Sequence, residues 1–136
     1  MNIAHSHSPP LTKYRILIAS GNPLDAQALE SLLRATGYAH VRTTTDPRQV
    51  PALFHKWRFD LLILDARTTL AHRTEILQHL ADPINAGALS ILNLSGLDDE
   101  PHAMTHTGKI GTVLRPLNVE QVLPRIQEAL AHIHTV

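Results

Sequence analysis

Apolar and polar positions divide this chain into short unbroken apolar runs and longer stretches of helical spacing. The clearest run is residues 59–65, FDLLILD, in which Leu61 to Leu64 show no alternation. A run of that kind predicts a strand covered on both faces of a sheet, here over 59–64. Further strands are predicted at Arg15–Ala19, His40–Thr44, 90–94 and 112–114. Between them lie helical patterns. Asn22 and Pro23 form a helix start, with Asp25 favouring the N-terminus, apolar rows Leu24, Ala28, Leu32 and Leu29, Leu33, and a stop at Gly37. Asp46-Pro47 repeats the cap ahead of a stripe of Val50, Leu53, Phe54 and Trp57. A helix over 71–80 carries Ile76, Leu77 and Leu80 and ends before Pro83. The last helix runs from about Val119 to Ile133, capped by Asn118, with Val119, Val122, Leu123, Ile126, Leu130 and Ile133 on its core side. Pro51 and Pro124 fall inside two of these helices, where kinks are expected. The polar segment 98–111 holds room only for a short or irregular helix.

Strands interleaved with helices predict an α/β fold: a doubly wound, flavodoxin-like, five-stranded parallel sheet of order 2-1-3-4-5 with helices on both faces. That order sets the ends of the first and third strands side by side, so Ser20 and Asp65 become neighbours at the carboxyl edge. Residues 1–12, with His5, His7, Pro9 and Pro10, are expected to be a flexible tail, and 13–136 a single domain.

Composition narrows the function classes. Twelve basic residues balance twelve acidic ones, which offers no global field for nucleic acid or an anionic membrane. The chain has no cysteine, which removes disulfides, thiolate metal sites and a Cys nucleophile. No apolar run approaches the roughly 20 residues of a membrane span, and no signal-peptide core is present. A cytoplasmic location is the expectation.

Four strand ends carry the candidate chemistry: ILIASGNP at 16–23, FDLLILD at 59–65, ILNLSGLDD at 91–99 and VLRPL at 113–117. In this order and spacing they resemble the receiver domain of two-component response regulators, over about residues 13–133. The resemblance implies a role in phosphorelay signal transduction, with Asp65 at the phosphoacceptor position and Ser95 at the hydroxyl position. Arg115 stands where the family carries lysine, followed by the expected Pro116, and Thr112 stands where it carries an aromatic switch residue. The family's acidic pair falls on Ser20 and Gly21, neither of which is a carboxylate. Residues 66–69, Ala-Arg-Thr-Thr, replace the Met-Pro often found after the phosphoacceptor, and the fourth helix region is about two residues shorter than usual.

These departures shape the expected function. A working receiver site carries a net charge of about −2, which a divalent cation neutralises. Asp65 and Arg115 sum to about zero, and Arg67 adds positive charge nearby. The expectation is therefore a degenerate, or pseudo-, receiver. It is not an enzyme, it has no metal and no cofactor, and Arg115 serves as counter-ion to Asp65. Ser95 is expected to hydrogen-bond locally, and Ser20-Gly21 to form a tight turn. The domain would act through protein–protein contact with a signalling partner, an unidentified histidine kinase or effector, without nucleic acid or membrane; self-association as a homodimer stays open. Alternatives are phosphorylation of Asp65 as a surviving switch, or sensing of an anion or small ligand by Arg115 and the amides of residues 20–22. The ten histidines, among them His102, His106, His132 and His134, are expected to be solvated.

Overall fold

The computed structural model describes residues 11–65, 70–95, 110–114, 119–131 and 133. The strands are β1 (Arg15–Ala19), β2 (His40–Thr44), β3 (Leu61–Asp65), β4 (Ser90–Ser95) and β5 (Ile110–Leu114), and the sheet they form has the order β2-β1-β3-β4-β5. Every neighbouring pair is parallel, with Ile16 beside Val41 and Leu61, Asp65 beside Leu94, and Ser95 beside Leu114. Helices α1 (Pro23–Thr36), α2 (Val50–Lys56), α3 (Leu70–His79), α4 (Ala81–Asn85) and α5 (Val119–Ala131) complete the fold.

The pleat sorts the sheet's side chains into two cores. Ile16, Ile18, Leu61, Ile63, Leu92 and Leu94 pack with Ala26, Leu29 and Leu33 of α1 and with Val122, Ile126 and Leu130 of α5. Leu17, Ala19, Leu62, Leu64 and Ile91 pack on the other face with Val50, Phe59, Ile76, Leu77, Leu80 and Ile84. All five residues of β3 are buried, because this strand lies in the sheet interior with a helix layer on each side.

Several local expectations change. Leu11 and Thr12 are not tail: with Lys13 they form a 3-10 turn, and Leu11 packs against the α1/α5 core. On α1 the core row is Ala26, Leu29, Leu33, whereas Leu24 is 75% exposed. The Asn22 cap sets this rotation, since its side chain accepts the N–H groups of Leu24 and Asp25 and leaves Leu24 in the first turn facing outward. Phe59 precedes β3 rather than opening it, and meets the Phe54 ring edge-on at 5.0 Å. Pro51 lies in the first turn of α2, because Pro47–Gln49 forms a separate 3-10 turn capped by Asp46; the position needs no kink. The helix over 71–80 ends before Pro83 as expected, at His79, but Pro83 then sits in the first turn of a further short helix, α4. Ile110 and Gly111, assigned above to an irregular helical segment, are strand residues of β5. Pro124 lies inside α5.

Candidate functional site

The carboxyl edge is built where β1 and β3 end side by side. Ser20 follows the last residue of β1, and its backbone N–H donates to the Thr44 carbonyl at the end of β2 (3.0 Å). That bond extends the β1–β2 ladder by one residue and fixes where the Ser20 side chain begins. The Ser20 hydroxyl lies 3.0 Å from Asp65 Oδ2 and 3.4 Å from the Asn22 carbonyl, and it accepts the Asn22 N–H at 3.1 Å. A hydroxyl has one proton, and the shorter, charge-assisted bond to the carboxylate takes it. Ser20 is fully buried, and Asp65 is 3% exposed. The turn at Ser20-Gly21 therefore also delivers a hydrogen-bond donor to the Asp65 carboxylate. Gly21 is exposed and faces open space.

The sequence reading missed Arg73. This arginine of α3 is 2% exposed, and its guanidinium donates to Asn93 Oδ1 at 2.6 Å and to the Asp65 backbone carbonyl at 2.8 Å. Asn93 lies on β4 on the face shared with Ile91, toward α3, so the arginine reaches it from its own helix layer. Burial pushes the guanidinium below its ordinary value, and the negative charge of Asp65 pushes it back up. A signal for both residues was present in the sequence. Arg73 precedes Ile76 by three positions and Leu77 by four, so it sits on the apolar stripe of its helix. Asn93 interrupts the apolar run of residues 91–94. A polar residue at a core position needs a partner, and these two supply each other.

The structure brings Ser20, Gly21 and Asp65 together at one edge. Ser95 ends β4, and the backbone of Thr112 pairs with Asn93. Arg115, Arg67, Asn118 and the histidines at 5, 7, 102, 106, 132 and 134 lie outside the described residues. Among the described residues no cluster of three or more His, Asp or Glu side chains is placed to hold a metal ion, and no helix is long and apolar enough to cross a membrane.

Comparison with solved structures agrees with the geometry. The chemotaxis protein CheY4 of Vibrio cholerae is 24% identical, with a TM-score of 0.71 over 86% of this chain and 98% of that one. A protein described as a response regulator, from Chloroflexus aurantiacus, is 22% identical, with a TM-score of 0.74 over 87% and 98% of the two chains. A protein of Burkholderia pseudomallei described as pilus assembly-related is 17% identical, with a TM-score of 0.75 over 96% and 98%. The chain has the receiver fold. At these identities the likeness concerns the fold alone. No family model matches the sequence, and no curated protein matches it.

Proposed function

We propose that this chain is a receiver-fold signalling module that works by protein–protein contact and does not depend on phosphorylation at Asp65. The observation that carries this reading is the buried hydrogen bond from the Ser20 hydroxyl to Asp65 Oδ2. In the resembled family that strand end supplies carboxylates. Here it supplies a neutral donor, which occupies one oxygen of the remaining carboxylate.

Magnesium needs oxygen ligands in near-octahedral geometry and is usually held by one or two carboxylates together with phosphate oxygens. The described donors at this edge are one carboxylate, one hydroxyl already bonded to it, and a guanidinium attached to the same residue's backbone. That set does not fit a divalent cation. Phosphoryl transfer rests on metal and cation stabilisation of spreading negative charge, so without the metal the Asp65 carboxylate is a poor acceptor. The domain then carries no catalytic step, and its output is binding. A histidine kinase or an effector of a two-component pathway is the partner class the fold suggests. Leu24, exposed on the first turn of α1 beside the edge, gives that helix an apolar contact point.

The test is titration of the labelled protein with beryllofluoride and magnesium, followed by amide NMR. The expected result is no saturable shift at Ala19, Ser20, Asp65 or Leu94. Saturable, magnesium-dependent shifts confined to those residues would overturn the proposal in favour of a surviving switch.

A further inference from the structure

A buried arginine is costly unless its charge and its donors are both matched. Arg73 is 2% exposed, and its two described bonds go to parts of the edge that lie on different strands. One is the last carbonyl of β3, belonging to Asp65 itself; the other is the Asn93 side chain on β4. The guanidinium fork is rigid, so holding both acceptors at once fixes the ends of β3 and β4 relative to α3. Through the Asp65 backbone bond it also sets a positive charge beside the carboxylate.

We propose that Arg73 is a fixed internal cation of the carboxyl edge, a positioning residue that balances the Asp65 charge and locks β3 and β4 in one arrangement. This rests on the reading above for why a fixed cation is needed: an edge that takes no soluble metal must carry its positive charge in the chain. A soluble ion can come and go, and strand ends that depend on it can move. A guanidinium buried under α3 stays, so the edge has a single state. Ser20 acts from the β1 side in the same sense: its hydroxyl bonds the carboxylate, while Arg73 bonds the backbone carbonyl of the same residue from α3.

The test is a thermal double-mutant cycle in metal-free buffer with Arg73→Met, Asp65→Asn and the double variant. Asp65→Asn keeps the backbone carbonyl that Arg73 bonds and removes only the charge, so it isolates the electrostatic part. Arg73→Met is expected to lower the melting temperature by on the order of 10 °C, and Asp65→Asn to recover at least about a third of that loss. Additivity of the two changes to within about 2 °C would reduce Arg73 to a hydrogen-bonding strut and overturn the proposal. A second measurement covers the case in which Arg73→Met does not fold. In the wild type the Arg73 Nη–H NMR signals should be protected from exchange and should shift when Asp65 alone is changed to Asn. An unprotected signal, or one indifferent to Asp65, overturns it equally. The two proposals fail separately. Saturable beryllofluoride binding with the coupling intact removes only the phosphorylation-independent reading, whereas absent coupling without beryllofluoride binding removes only the role of Arg73.

Discussion

Ser20 shows how much one side chain decides at the residue scale. Its backbone continues the β1–β2 ladder, and its hydroxyl spends its proton on a carboxylate in a nearly dry position. Removing that hydroxyl leaves Asp65 Oδ2 short of a donor. Ser20→Ala is expected to destabilise the fold by about 1–3 kcal/mol, read from urea unfolding. Ser20→Asp carries the argument further. It sets a second carboxylate against Asp65, restoring acidic character at the edge. This variant should be less stable than wild type in chelator and regain stability with millimolar magnesium, while wild type should not respond. A magnesium response in wild type equal to that of the variant would contradict the donor-set argument. Like charges at close range disfavour ionisation of both unless a cation joins them, and that reversal is what the experiment detects.

At the scale of elements, α1 shows how a helix is bounded at both ends. Asn22 accepts two N–H groups at the start, and Pro23 fits the first position without losing a bond. At the end, Gly37 adopts φ +122° and donates its N–H toward the Leu33 and Arg34 carbonyls. A side chain there meets a backbone obstacle more than a steric one. The backbone angle is one that L residues rarely adopt, and an added Cβ would lie 3.4 Å from Leu11 Cδ1. Gly37→Ala is therefore expected to cost about 1–3 kcal/mol in chemical denaturation, and an unchanged midpoint would show that the turn re-forms differently. The same helix protects the sheet's border. Arg34 donates to the Ala39 and Val41 carbonyls, which satisfies acceptors at the edge strand β2 that another chain could otherwise pair with.

On the scale of the whole molecule, the α1/α5 core ties stability to pH. Tyr38 is 1% exposed within the α1/α5 core, and burial, with the neighbouring Tyr14 second, pushes its phenol above the ordinary value of 10.0. Tyr14 moves the same way through burial and then the Asp60 charge. The folded values lie above the unfolded one, so the contribution to stability is fully present below pH 10 and is lost as pH rises through the folded values. Base-induced unfolding is expected to begin above pH 10 and to coincide with the rise of tyrosinate absorbance. Tyr38→Phe should flatten that loss. A loss of stability that sets in well below pH 10, or one unchanged by Tyr38→Phe, would place the cause elsewhere.

The sequence by itself determined the rhythm of the fold. Unbroken apolar runs at β1 and β3 marked strands buried on both faces, the Asn22-Pro23 and Asp46-Pro47 pairs marked where helical turns begin, and the likeness of the strand ends led to Asp65 and Ser20. Periodicity did not determine helix rotation, because several rows of α1 satisfy the same spacing; the cap and the sheet chose Ala26, Leu29 and Leu33 and left Leu24 outside. Nor did it show that Phe59 packs ahead of its strand, or that a further turn of helix accepts Pro83. Only the tertiary structure decided the partners of Asp65. Arg73 is eight residues from Asp65 and twenty from Asn93, and the three meet because β3, α3 and β4 converge at one edge. A pattern read along the chain can mark a polar residue on an apolar stripe as one that needs a partner. Which partner it finds depends on the crossing of elements far apart in sequence, and that is set by packing.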